Sequence, residues 1–195
     1  MNVPNKLTSL RILLIPVFLF ALYSMGRWSE MIALAIFVFA AVTDYLDGYL
    51  ARKHKMVTTF GKFADPLADK LLVAAALVAF VDLGFMGIYG GIIAIIVISR
   101  EFIVTGLRLV AVSGDKIISA HFWGKLKTVL QIASIISILL RANQTIMPRI
   151  FENIHPSAQA VFGHFTYWLI IVMTIVTIVS GVAYIWKNAK LIKVD

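Results

Sequence analysis

Four of the ten acidic residues in the 195-residue sequence, Asp44, Asp47, Asp65 and Asp69, fall within one stretch of 26 residues. The surrounding sequence is strongly apolar, and carboxylates in such a setting need a cationic partner, water or a bound cation. At ~100° per residue, a helix places Asp44, Asp47, Gly48 and Ala51 on one ribbon about 100° wide. Gly61, Asp65 and Asp69, spaced i, i+4, i+8, share a ribbon about 80° wide on the following helix. Both faces flank the same short joint, so they can meet, and two acidic faces that meet repel unless positive charge lies between them. Oxygen-only ligands suit hard divalent cations such as Mg²⁺, Mn²⁺ or Ca²⁺. Four carboxylates can hold two such ions, an arrangement that clamps an in-line displacement at phosphorus. Ion pairs with Arg52, Lys62 and Lys70 are the plainer alternative, but they leave Gly48, Ala51 and Gly61 on the same faces unexplained. Small residues there let a ligand approach the backbone.

A second group is cationic. Arg100 and Glu101 are expensive inside an apolar helix, and Arg108 lies two turns beyond Arg100, offset by about 80°. Lys125 and Lys127 open the next apolar stretch on the same side. Such a concentration of positive charge suits a phosphate, whose oxygens Arg can grip bidentately. The alternative for Lys125 and Lys127 is that they are loop charges that set topology. Glu101 is expected to pair with a cation and is given no chemical role.

These groups must be held by membrane helices. Hydrophobic residues make up 61% of the chain and charged residues 14%, with a mean hydropathy of +0.92. A soluble domain has ~45–50% and ~25%, so a soluble globular or disordered chain is excluded. There is no cysteine, which removes disulfides, thiolate metal sites and cysteine nucleophiles. Six apolar stretches reach the ~20 residues that a bilayer crossing needs. They run roughly over 7–25, 31–50, 63–81, 86–112, 122–140 and 161–186. The start, Met1–Lys6, lacks the form of a cleaved leader, so the first stretch is read as a retained span.

Charge supports an even number of spans with both termini cytoplasmic. On that arrangement Lys6, Arg11, Arg52, Lys53, Lys55, Lys62, Arg108, Lys116, Lys125, Lys127, Lys187, Lys190 and Lys193 lie inside. Only Arg27, Arg141 and Arg149 lie outside, while Lys70 and Arg100 fall within spans. This is the positive-inside bias of a multi-pass protein, so the net charge of +8 does not call for a nucleic-acid partner. Tyr167, Trp168, Tyr184 and Trp186 are expected to anchor the last span at the interfaces. Gly87 and Gly91 have the spacing of a close-packing pair on the fourth span. The four histidines lack metal-ligand spacing, and Asn143-Gln144-Thr145 matches a glycosylation sequon only formally.

The acidic segment resembles a known signature. Asp44-Tyr-Leu-Asp47-Gly48-Tyr-Leu-Ala51-Arg52, eight residues, then Gly61-Lys-Phe-Ala-Asp65-Pro-Leu-Ala-Asp69 fills every fixed position of the CDP-alcohol phosphotransferase pattern D-x2-D-G-x2-A-R-x8-G-x3-D-x3-D. The resemblance implies a six-helix membrane enzyme, a homodimer, that joins a CDP-linked donor to an alcohol and releases CMP. It implies two divalent ions, Mg²⁺ or Mn²⁺, held by Asp44, Asp47, Asp65 and Asp69, with Asp69 also acting as general base. It places Gly48, Ala51, Arg52 and Gly61 around the CDP moiety, although Arg52 can also be read as a topology charge.

Three further segments resemble the bacterial phosphatidylglycerophosphate synthases within that family. They are Pro4 to Arg11, Ser99 to Arg108, and Gly124 to Thr128, and the likeness fades after about residue 130. This implies CDP-binding roles for Asn5 and Thr8, and an acceptor pocket of Arg100, Arg108, Lys125 and Lys127. The implied substrates are CDP-diacylglycerol and sn-glycerol 3-phosphate, in a bacterial inner membrane with the site facing the cytoplasm. The whole chain, 1–195, is expected to form one membrane domain. Within the family, a cardiolipin or phosphatidylinositol-phosphate synthase stays open, and so, from another class, does a divalent-cation transport path.

Overall fold

The computed structural model describes residues 3–24, 26–54, 59–113, 122–143 and 157–188; the side chains of 3–8, 44–66, 69 and 111–113 lie outside that description. Among the described residues the fold is all-helical, with six helices and no strand. They are α1 (Val3–Tyr23), α2 (Ser29–His54), α3 (Thr59–Asp82), α4 (Gly90–Ser113), α5 (Phe122–Ala142) and α6 (Ala158–Lys187). All six expected spans are therefore helices.

The helices close into a ring. α1 packs on α2 and α3, α3 on α4, α4 on α6, α6 on α5, and α5 on α2. Every helix contributes to a single core, from Phe18 and Phe37 through Ala76, Phe80 and Val97 to Ile138 and Met173. Small residues set how closely the backbones approach: Ala33, Ala40 and Ala76 are fully buried. The space they leave is filled by aromatic rings, with Phe18 and Phe37 tilted against each other at 6.2 Å between centroids.

The outward faces are also apolar. Phe20, Ile88, Ile92, Ile95, Val129 and Trp168 are all well exposed. Helices apolar on every side belong in a hydrocarbon solvent rather than in water. α5 and α6 are each long and apolar enough to cross a membrane, and shorter apolar segments run over Ser9–Tyr23 and Ser29–Thr43. With lipid outside, hydroxyls inside supply polar contacts between helices. Ser137 and Thr166 hydrogen bond at 2.7 Å between α5 and α6, and Thr166 and Thr177 also donate back to the carbonyls four residues earlier.

One end of the bundle is tied by polar contacts. The Tyr23 hydroxyl donates to Asp82 Oδ2 at 2.7 Å, Arg141 donates to the Phe85 carbonyl, and Asn143 Nδ2 donates to Glu30 Oε2 at 3.4 Å. Asn143 is thus buried, out of reach of a glycosylating enzyme. At this end α3 stops in a Schellman turn. The Phe85 amide donates to the Phe80 carbonyl at 2.9 Å and the Gly84 amide to the Val81 carbonyl at 3.1 Å. Gly84 adopts φ 72°, and the Phe80 and Phe85 rings pack 6.0 Å apart as the motif's apolar contact.

That turn corrects one expectation. Gly87 has φ 68° and lies ahead of α4, which begins only at Gly90, so Gly87 and Gly91 do not form a packing pair on one helix. Gly91 itself faces open space.

Because Ala76 is fully buried in the core, Ala76→Leu should destabilise the bundle by about 1–3 kcal/mol through overpacking. The control Phe20→Leu, on the lipid-facing side, should leave the melting temperature in detergent within a degree or two of wild type.

Candidate active site

At the opposite end of the bundle, α2 runs unbroken through Asp44, Asp47, Gly48, Ala51 and Arg52, and α3 through Gly61, Asp65 and Asp69. The signature thus lies on two helices, as its spacing requires. Asn5 and Thr8 lie on the first turns of α1. The side chains of these ten residues lie outside the described residues.

Lys70, the residue after Asp69, leads into a described site. Its Nζ lies 3.6 Å from Glu101 Oε2. Glu101 Oε1 accepts from Lys127 Nζ and lies 3.4 Å from Arg100 Nη1. Glu101 is only 4% exposed and Lys127 only 3%. One buried carboxylate therefore holds cations from α3, α4 and α5. Burying any of these charges alone costs several kcal/mol, and that cost is offset only where partners are close and well aligned. Glu101 does pair with a cation as expected, but with three rather than one.

The fourth contributor is α6. Arg100 Nη2 donates to Ser180 Oγ at 3.1 Å. A Cβ added at Gly181 would sit 2.9 Å from Arg100 Cγ, so only glycine leaves room for the arginine stem there. Arg100 is held at both terminal nitrogens, by Glu101 on its own helix and by Ser180 across the bundle.

Around this cluster opens a cavity of about 560 Å³. Among the described residues its walls carry Lys70, Arg100, Arg108, Lys125, Lys127 and Lys187 against the carboxylate of Glu101, a formal surplus of five positive charges. Thr105, Trp123, Gly124, Ser180 and Tyr184 complete much of the lining. Arg100 and Lys127 lie deep, whereas Arg108, Lys125 and Lys187 are exposed toward the mouth. Such a gradient attracts an anion from water and desolvates it progressively, which strengthens each contact as the dielectric falls. A smaller cavity of about 80 Å³ lies on the other side of the cluster, against α1 and α2, and shares Lys70, Glu101 and Lys127 with the first.

The four residues expected to form an acceptor pocket, Arg100, Arg108, Lys125 and Lys127, thus line one cavity. Lys127 is too buried for a loop charge. Arg11, counted only among the cytoplasmic-side charges, is a buried residue on the wall of the smaller cavity. One expectation needs correction. Tyr184 is buried beside Arg100's cavity rather than anchored at an interface, while Trp186, two residues on, is fully outward. Ser180, Gly181 and Tyr184 went unnoticed as site residues, since nothing in an apolar helix signals which of its small or aromatic residues will face an arginine 80 positions earlier.

An all-helical apolar bundle with a signature-bearing helix pair beside a cationic cavity describes a class of membrane enzymes. The chain belongs to the CDP-alcohol phosphatidyltransferase family, matching it over residues 1–186. The match therefore runs through α6, well past the point where recognisable motifs end. Relatives are named CDP-diacylglycerol–glycerol-3-phosphate 3-phosphatidyltransferase. One from Bacillus subtilis is 39% identical over 98% of this chain and 97% of its own length. Another from Pectobacterium atrosepticum is 39% identical over 86% of this chain and 90% of its own. A third, from Pseudomonas fluorescens, reaches 49% identity over 55% of each chain.

Removing the negative charge at the hub should expose its role. Glu101→Gln leaves three neighbouring cations without their counter-charge and should destabilise the protein by about 3–5 kcal/mol. Adding Lys127→Met should recover much of that loss; a double-mutant cycle on thermal stability measures the coupling.

Proposed function

We propose that the protein transfers the phosphatidyl group of CDP-diacylglycerol to sn-glycerol 3-phosphate, giving phosphatidylglycerol phosphate and CMP. The observation that carries the acceptor is the cavity: among the described residues six cations and one carboxylate, exposed toward one end, fit a small phosphorylated alcohol. Inositol, serine and choline carry no phosphate for such a site to hold.

In this reading Arg100 and Lys127 grip the acceptor's phosphate deep in the cavity, and Arg108 and Lys125 draw it in from the mouth. That hold presents the 1-hydroxyl toward the α2–α3 signature, where Asp69 directly precedes the cavity residue Lys70. Asp69 takes the hydroxyl proton as the oxygen forms its bond to the phosphorus bearing diacylglycerol. The bond from that phosphorus to the oxygen of CMP breaks, and CMP leaves. Asn5, Thr8, Gly48, Ala51, Arg52 and Gly61 hold the CDP moiety. The protein's share is chiefly positioning and charge neutralisation, as phosphoryl transfer requires.

The family is generally divalent-cation dependent. The donor set of Asp44, Asp47, Asp65 and Asp69, all hard carboxylate oxygens, fits two Mg²⁺ or Mn²⁺ ions. Bound there, such ions neutralise the diphosphate and lower the pKa of an approaching hydroxyl.

The chain acts as one membrane domain over 1–195, as a homodimer, with both termini and the active site on the cytoplasmic side of a bacterial inner membrane. The charge asymmetry between the two sides supports that orientation, and the bacterial origin of the relatives supports the membrane.

CMP release by the purified protein, given CDP-diacylglycerol and Mg²⁺, should require sn-glycerol 3-phosphate and stop on chelation. Asp69→Asn should lower turnover by at least ~10²-fold, the usual worth of a general base, without loss of fold or of CDP-lipid binding. CMP release with phosphatidylglycerol or inositol phosphate instead would move the protein to another branch of the family. Metal flux into liposomes without lipid turnover would point to transport.

Arg108→Ala and Lys125→Ala should each raise the KM for glycerol 3-phosphate by roughly 3–10-fold, as expected for partly solvated charged contacts. The KM for CDP-diacylglycerol should stay within about twofold; equal shifts in both constants would misplace the acceptor pocket.

A further inference from the structure

The buried hydroxyls of α6 follow a pattern with one exception. Thr166 donates to the Phe162 carbonyl at 2.9 Å, Thr177 to the Met173 carbonyl at 2.7 Å, and Ser180 to the Thr177 carbonyl at 3.0 Å. Tyr184 is only 6% exposed, yet its hydroxyl has no hydrogen-bond partner among the described residues. A buried hydroxyl without a partner is costly, and natural proteins rarely carry one without a reason. Phenylalanine would fill the same volume without the penalty.

Tyr184 also lines the cationic cavity. It lies on the same face of α6 as Ser180 and Gly181, four and three residues earlier, and this face is the one on which Arg100 rests. Arg100 has its own orphan: both terminal nitrogens are engaged, but Nε is buried and without a partner among the described residues. An unsatisfied phenol and an unsatisfied guanidinium N–H therefore belong to two residues that line one cavity. The phenol oxygen can accept as well as donate, but the two groups do not bond to each other in the structure. An anion accepts from both.

We propose that Tyr184 is a binding residue for the acceptor, its hydroxyl donating to an oxygen of the sn-glycerol 3-phosphate that Arg100 holds. This rests on the reaction proposed above and adds α6 to the acceptor site, a helix that carries none of the signature. In that role the unpaired state of Tyr184 is the waiting state of a pocket built for an anion, and Ser180 and Gly181 serve to keep Arg100 against the same wall.

The decisive comparison is wild type against Tyr184→Phe, read three ways. The KM for glycerol 3-phosphate should rise ~10-fold, the usual loss for a hydrogen bond to a charged group, while that for CDP-diacylglycerol stays within about twofold. Without acceptor, the melting temperature of Tyr184→Phe should equal or exceed wild type, because an unpaired hydroxyl has been removed. The rise in melting temperature that glycerol 3-phosphate produces in wild type should shrink. A lower melting temperature without acceptor, and an unchanged KM, would make Tyr184 structural and overturn the inference while leaving the reaction intact. An unchanged KM with unchanged stability would overturn it too. Wild type without glycerol 3-phosphate-dependent CMP release would remove the reaction and the inference together.

Discussion

The buried carboxylate of Glu101 is the constraint on which the described site depends. It is one negative charge that accepts from Lys127 and stands within ion-pair distance of Lys70 and Arg100, so α3, α4 and α5 are fixed to a common point. Arg100 extends the link to α6 through Ser180. Each of these cations gives up hydration in the bundle, a cost that the shared carboxylate helps to offset. A single carboxylate cannot neutralise three cations. Among the described residues the remainder is a positive potential, aimed into a cavity that a small anion can enter.

The rest of the bundle serves to keep that arrangement in place. With lipid on the outside, apolar burial gives little preference between the interior and the surface, so shape and a few polar contacts decide the packing. Fully buried alanines on α2 and α3 accompany the packing of both helices on α1, phenylalanines fill the remainder, and hydroxyl pairs such as Ser137 with Thr166 lock helix faces together. The end away from the cavity is closed by Tyr23 on Asp82, Arg141 on the Phe85 carbonyl and the Schellman turn at Gly84. Ordering one end this way leaves the other free to be shaped by its charges.

In the proposed reaction the two substrates come from different solvents, and the fold accommodates both. The donor's chains belong in lipid, which contacts the outer faces of every helix, while the acceptor is soluble and reaches the cavity through exposed Arg108, Lys125 and Lys187. Asp69 and Lys70 are consecutive on α3, which joins the signature to the cationic cavity through the backbone of one helix. A helix is rigid over a few residues, so the register between the two half-sites is set locally rather than by the relative motion of separate domains.

Much of this was legible without a structure. Composition and the length of the apolar stretches determine an all-helical bundle, because hydrocarbon admits few other folds for an open chain. The spacing of Asp44 to Asp69 determines the family, since it records which side chains share helix faces only a few turns apart. The isolated charges Arg100, Arg108, Lys125 and Lys127 announced themselves because a charge in an apolar helix is too costly to be incidental. Tertiary structure alone decided the rest. Gly87 reads as a helix residue until its positive φ places it in a turn, Arg11 only as one of the cytoplasmic-side charges until its burial is seen, and Tyr184 as an interfacial anchor until it lies in the cavity. That Glu101 gathers three cations, and that Ser180 and Gly181 shape the seat of Arg100, depends on contacts between helices far apart in sequence. Local periodicity assigns a residue to a face of its own helix, but only the packing of the ring determines what that face meets.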